Sequence, residues 1–127
     1  MLDTSVVIDL DTIDMRALPS EVALTALTMA ELAAGPHAAT DPEERARRQD
    51  RLQRTEAAFS PLPFDADAAR AYGRIYAAVT AAGRRARGAR AVDLMIAAVA
   101  CSVDLPLYTR NPKDFAALDG LVDIVAI

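Results

Sequence analysis

Four positions in this chain combine hard oxygen donors with a placement that could bring them together: Asp3, Glu31, Asp93 and the Asn111/Asp114 region. Asp3 carries the strongest signal. It is set in the apolar, β-branched run Met1-Leu2-Asp3-Thr4-Ser5-Val6-Val7-Ile8-Asp9, and a charge inside such a run must be paired or hold a metal. The others have local uses as well. Glu31 could close a capping box opened by Thr28, Asp93 could favour the start of its helix through the dipole, and Asp114 could partner a cap at Asn111. Together they suggest a site. Carboxylates gathered in one pocket repel one another unless a divalent cation compensates, and oxygen donors without His or Cys indicate Mg²⁺ or Mn²⁺. Such a centre suits phosphodiester hydrolysis: metal holds the phosphate and lowers the pKa of a water, while a free carboxylate orients or deprotonates that water.

The elements that must position these residues follow from pattern. Residues 1–8 read as a buried strand, 11–19 as a short helix or loop ending at Pro19, and 22–26 as a second strand. Thr28 starts a helix that Gly35-Pro36 stops near Ala34. Asp41-Pro42-Glu43-Glu44 opens a longer one, to about residue 58, with an N-cap acid and Pro in the first turn. That helix is mostly charged, with a thin apolar stripe at Ala46, Leu52 and Phe59, so it packs lightly or serves a partner. Asp65 caps a helix to about Ala82, and Gly83 ends it. After the basic loop 84–90 (RRARGAR), the run from Val92 to Val103 is apolar all round except Asp93 and Ser102, the mark of a central buried helix. A strand from Leu105 to Thr109, a short helix from Asn111-Pro112 to Leu118 and a last strand from Leu121 to Ile127 complete the chain. Strands alternating with helices predict an α/β layer with a mainly parallel sheet. In such a sheet the four acidic positions fall along one edge, where ligands bind.

Composition narrows the classes. The 127 residues make one domain, long enough for a core without staples. With no Trp and 5% aromatic residues, a single-strand binder built on base stacking is disfavoured. The net charge of −4 argues against nucleic acid, but every basic residue except Lys113 is Arg, clustered at 45–54, 84–90 and 110–113, and Arg is suited to phosphate. The lone Cys101, inside an apolar run, reads as a buried, inert thiol. No basic leader opens the chain and no apolar run reaches the roughly 18 residues of a membrane span, so a cytosolic protein is expected. His37 is the only histidine, which disfavours a His-based zinc site, and there is no P-loop or dinucleotide fingerprint.

Four segments carry a resemblance: LDTS at 2–5, TMAEL at 28–32, VDLMIAAVA at 92–100 and TRNPKDF at 109–115. In order and spacing they resemble PIN-domain ribonucleases, specifically VapC-type toxins of type II toxin–antitoxin pairs, over essentially the whole of a single domain, 1–127. The resemblance implies a PIN-like three-layer fold and a Mg²⁺-dependent endoribonuclease that cuts structured RNA such as tRNA or rRNA. Its metal-site and catalytic acids would be Asp3, Glu31 and Asp93, with Asp114 or Asn111 fourth. Thr4 or Ser5 would assist the site, and Thr4, Ser5, Arg110 and Asn111 are expected to contact substrate; the basic loop 84–90 matches the family only loosely, and its Arg84, Arg85, Arg87 and Arg90 are expected, on their charge, to contact RNA phosphates. A homodimer and a cognate antitoxin covering the active site are also implied. The chain departs from the family pattern in carrying Asn111 where many members have Asp, and in having only two residues before Asp3, which shortens the first strand.

Two other readings use other features. Val7-Ile8-Asp9-Leu10-Asp11-Thr12 matches the nucleophile motif of haloacid-dehalogenase-like phosphatases, in which an Asp is phosphorylated. That fold needs a later Lys and a distal acidic pair, and only Lys113 is present. A PIN-like domain that binds RNA or protein without cutting is the other, given the amide at Asn111.

Overall fold

The computed structural model describes residues 1–127. Its sheet is narrow, and helices dominate. β1 (Leu107–Thr109) and β2 (Ile124–Ala126) pair in parallel, with Leu107 opposite Ile124 and Thr109 opposite Ala126. The sheet continues from β1 through short bridged segments. Leu2 bridges Tyr108 in parallel and its N–H donates to Ala23 O at 2.8 Å; Thr25 in turn bridges Leu62, also in parallel. The expected α/β arrangement, helices around a mainly parallel sheet, is the fold.

The first two expected strands shrink to these contacts. The chain leaves the sheet after Leu2 and turns at once into α1 (Thr4–Ile8), whose Val6 and Val7 N–H groups bond to Asp3 O. Asp3 therefore sits at a strand-to-helix turn, as the residue before the helix, rather than near the end of a strand. Packing outweighs the β-branched propensity of the run, because α1 buries Thr4, Val6 and Val7. Two short 3-10 turns, Leu10–Thr12 and Met15–Ala17, follow.

α2 (Ala26–Ala38) starts earlier and ends later than expected. Thr25, not Thr28, is the N-cap, its side chain accepting from Thr28 N–H, so Glu31 lies beyond the first turn and closes no capping box there. The helix runs through Gly35-Pro36: Pro36 has no N–H for the carbonyl four residues back, but it lies in the last turn, so the ladder loses one bond near its end, and Arg48 Nη1 donates to Gly35 O at 2.9 Å. α3 (Pro42–Ala58) begins as read, with Asp41 accepting from Glu44 N–H and Pro42 at N1. Its charged face is solvated, while Leu52 and Phe59 pack against α2 and α1 in a small cluster of buried residues that includes Leu2, Val6, Leu24 and Leu32. Ala46, counted in its stripe, is exposed.

α4 (Ala66–Ala81), capped by Asp65, and α5 (Ala89–Ser102) enclose the main core of 16 buried residues. α5 is buried along most of its length, as an all-round apolar helix must be. It begins three residues before Val92, so Asp93 lies one turn inside and no acid occupies its first turn; the dipole explanation for Asp93 does not apply. Cys101 near its end is half-buried rather than buried, with Arg74 Nη2 3.8 Å from its Sγ. The 3-10 helix Pro112–Leu118 follows β1; Asn111 precedes it but its side chain makes no cap bond. No helix is long and apolar enough to cross a membrane.

Candidate active site

The site lies where the first turn of the chain, the middle of α2, the second turn of α5 and the segment after β1 meet. Asp3 is the most buried of its acids, at 4% exposure. Its Oδ2 accepts from Ser5 Oγ and from Thr109 Oγ1, both at 2.8 Å. Each of those hydroxyl oxygens accepts a backbone N–H in turn, Ser5 from Arg110 at 3.1 Å and Thr109 from Asn111 at 3.0 Å. Both hydroxyl protons are thus committed to one carboxylate oxygen. Asp3 Oδ1, by contrast, is the one buried side-chain polar atom with no hydrogen-bond partner. An unsatisfied buried acceptor costs about 1–3 kcal/mol, more if charged, a cost that a partner from outside the chain would remove.

Glu31 is held by a second hydroxyl relay. Thr4 Oγ1 donates to Glu31 Oε1 at 2.6 Å. Thr4 has one proton, so in its 3.0 Å contact with Thr28 it must accept. Thr28 in turn accepts from Thr25 Oγ1 at 3.5 Å. The three hydroxyls run donor to acceptor toward the carboxylate, which can only accept while ionised.

Asp93 has no such hydroxyl. Burial pushes its pKa up to about 6, and the charges of Asp3, Glu31 and Asp114 push the same way, against the pull of Arg90. That response shows that the four acids share one electrostatic environment. Arg90 Nη1 lies 2.6 Å from Asp114 Oδ1 and 3.9 Å from Asp93 Oδ2, supplying the only cation in ion-pair contact with these acids. As the side chains stand, no three acids converge closely enough to grip an ion. The two observations concern different ranges: charges interact over several ångströms, whereas oxygen ligands sit about 2.0–2.6 Å from the metal. The hydroxyls hold Asp3 and Glu31 in place, and Arg90 draws Asp114 to itself. The donor set fits a hard divalent cation, with all-oxygen groups, surplus negative charge and one orphaned carboxylate oxygen.

The other sequence candidates are placed differently. Thr4 and Ser5, grouped above with substrate contacts, give their hydroxyl protons to Glu31 and Asp3. Arg90, expected to contact substrate, is engaged with Asp114 and Asp93. Arg110 pairs with Asp9 at 3.3 Å and donates to Ile127 O. Asn111 is exposed, and its backbone rather than its amide meets the site, through Thr109. Arg87 is exposed on the loop before α5. Asp9 and Asp11, the phosphatase alternative, are surface partners of Arg110 and Arg54. Thr28, read from the sequence only as a helix start, and Thr109 are not among the site residues expected from the sequence. Their signal was their place inside TMAEL and TRNPKDF, where a hydroxyl sits three and two residues from a candidate ligand.

Comparison with known proteins agrees over the full length. The PIN domain family model matches residues 1–121. The chain is 42% identical over 130 residues to Ribonuclease VapC5 of Mycobacterium tuberculosis, covering 100% of this chain and 93% of that protein. Among solved structures, it is similar to VapBC-5, a member of the VapBC family of toxin–antitoxin systems from the same organism, with TM-score 0.86, 43% identity and coverage of 99% of this chain and 96% of that one. FitAcB of Neisseria gonorrhoeae matches with TM-score 0.72 and 28% identity over 98% of this chain and 94% of the other.

Proposed function

The chain belongs to the PIN-domain family, and from that premise we propose that it is a VapC-type ribonuclease, the toxin of a toxin–antitoxin pair. It hydrolyses RNA phosphodiester bonds with the help of a divalent metal, Mg²⁺ being the ion its oxygen-only donors suit best. The observation that carries the reading is Asp3 Oδ1: buried, unpartnered, and on one of the three carboxylates whose charges bear on Asp93.

Asp3, Glu31 and Asp93 would hold the ion, with Asp114 as the fourth acid. When bound, the ion supplies positive charge to the scissile phosphate and makes water a better nucleophile. Ser5 and Thr109 fix the rotamer of Asp3 so that Oδ1 alone is presented. The Thr25–Thr28–Thr4 relay does the same for Glu31. Glu31 and Asp93 are the carboxylates available to orient the attacking water or take its proton. Arg90 neutralises Asp114 in the resting protein and can turn to a phosphate oxygen when RNA arrives, since Arg suits both partners. RNA is the substrate and an antitoxin protein the controlling partner, in keeping with the toxin–antitoxin complexes that this chain is similar to. Pairing of two copies belongs to the same proposal, as does tRNA or rRNA as the target.

The test uses purified protein and labelled total RNA. Discrete fragments should appear with Mg²⁺, vanish with chelator, and fail to form with Asp3→Asn. Cleavage that persists in chelator, or that Asp3→Asn leaves intact, would remove the metal-site reading.

A further inference from the structure

The two margins of the sheet end differently. At one, Leu62 turns both backbone groups inward: its N–H donates to Leu24 O at 2.9 Å and its C=O accepts from Ala26 N–H at 2.8 Å. Its neighbours Pro61 and Pro63, whose groups would face outward, are exposed and have no N–H to offer. Proline is one of the guards that keep a sheet edge from pairing with another chain.

β2, at the other margin, carries no such guard. Leu107 N–H donates to Asp123 O at 2.8 Å and Ile127 N–H to Thr109 O at 3.1 Å, so positions 123, 125 and 127 face β1. Ile124 and Ala126 therefore point their N–H and C=O groups away from β1, and no strand lies beyond them. The stretch from Ile124 to Ile127 has no charged side chain and no proline. Ala126 is exposed, and Ile124 and Val125 are half-buried.

This margin is complementary to itself. When two copies of β2 run antiparallel about a two-fold axis through Val125, Ile124 of each falls opposite Ala126 of the other. Both residues face outward, so each pair exchanges two N–H···O bonds. Val125 meets its own counterpart on the axis as a non-hydrogen-bonded pair, with Cα atoms about 4.5 Å apart. Shifting the register by two residues leaves one exchanging pair instead of two. The centred register also sets Asp123 opposite Ile127 of the second copy, whose C=O accepts from Arg110 Nη1 at 3.2 Å. The exposed Asp123 carboxylate thus approaches the second copy's Arg110, a guanidinium with more donors than its pairing with Asp9 uses.

We propose that the chain pairs with a second copy of itself along β2, joining two sheets into one. The inference rests on the pairing of copies in the reading above and gives it a place and a register. It does not depend on whether RNA is cut.

Disulfide trapping tests the register on the full chain, with Cys101→Ser removing the native thiol and melting curves confirming that each variant folds. Val125→Cys should give a covalent dimer under mild oxidation, because the separation on the axis lies within the disulfide range of about 4.4–6.8 Å. Ala126→Cys should not, because the two copies of that position are diagonal neighbours about 7–8 Å apart. A second measurement follows amide exchange and sedimentation of the wild type from dilute to concentrated protein. The Ile124 and Ala126 N–H groups should gain protection as the dimer forms. Ala126→Pro removes an outward donor from each copy without touching a bond to β1, and should weaken the dimer about tenfold or more. Trapping that is absent at Val125→Cys or equal at both positions would overturn the inference, as would amides that exchange freely at every concentration. If sedimentation still shows a dimer in that case, the copies pair through another surface and the pairing itself stands. A monomer at every concentration would remove both, and neither result bears on the ribonuclease reading.

Discussion

The acid site has two halves that solve one problem by different means. On one side, Asp3 and Glu31 are held by neutral hydroxyls: Ser5 and Thr109 on the first, Thr4 on the second. On the other, Asp93 and Asp114 are balanced by a cation, Arg90. Hydroxyls orient a carboxylate without cancelling its charge, so the first half keeps its full negative potential for an incoming ion. Arg90 cancels charge, so the second half is quiet until something competes for the guanidinium. Burial first, and then the neighbouring carboxylates, push the half-buried Asp93 up to about 6 in spite of Arg90. On the proposed reading, one half is set in advance, and the other would adjust when metal and phosphate arrive.

The contrast is most severely tested by deleting one carboxylate from each half. Asp3→Asn should lower RNA cleavage by at least about 100-fold, the low end for a lost acid–base or ligand group, with melting temperature unchanged or raised because an orphaned charge is gone. A loss of cleavage accompanied by unfolding would make Asp3 structural instead. Replacing a supporting hydroxyl should cost less. Thr109→Val keeps shape and removes one donor to Asp3, so divalent-ion affinity and cleavage should fall about 10–100-fold, as for other supporting partners of metal ligands. Thr109→Ser should restore both; a variant that binds Mn²⁺ as tightly as wild type would show that the hydroxyl does not position Asp3.

The cation-balanced half predicts a pH effect on stability. The folded pKa of Asp93 is raised, to about 6 from 3.8. The folded chain thus holds this proton more tightly than the unfolded chain. The resulting stabilisation is complete below the ordinary carboxylate value and is lost as pH rises through about 6, an effect of about 2–3 kcal/mol. Metal-free protein should lose roughly 10 °C of melting temperature from this group between pH 4 and 7. Asp93→Asn should abolish most of that slope, and Mg²⁺ should raise the melting temperature more at pH 7 than at pH 5. The smallest effect is expected far from both halves. Arg54→Gln on α3 breaks surface pairs with Asp50 and Asp11 and should change stability by no more than about 0.5 kcal/mol, with cleavage unaltered. A large loss there would mean that α3 contributes to the site.

Much of this was legible from residue order alone. The capped starts of α3 and α4 were visible because their signals are local: an acid, a proline, a periodic face. The buried character of α5 was visible because nothing polar interrupts it except Asp93 and residues near its ends. The start of the chain was not. Its β-branched run reads as a strand, but the sheet keeps only Leu2 and the rest winds into α1, a choice made by packing against distant segments. Gly35-Pro36 looks like a stop and is absorbed into α2, since Arg48 from the next helix satisfies the carbonyl there. Within the site, carboxylates announce themselves by being costly to bury. Thr28 and Thr109 do not, because a buried threonine is ordinary until its partner is known. The pairing of Arg90 with Asp114 was equally hidden, joining residues whose proximity depends on how α5 meets the segment after β1.

The central claim is that Asp3, Glu31 and Asp93 close on one divalent ion. The most direct measurement is anomalous diffraction from a crystal of the protein soaked in Mn²⁺. The account predicts a peak within ligand distance of Asp3 Oδ1 and of at least one oxygen from Glu31 or Asp93, with Ser5 and Thr109 still bonded to Asp3 Oδ2. Peaks only at surface acids, with Asp3 Oδ1 still unpartnered at saturating Mn²⁺, would contradict it.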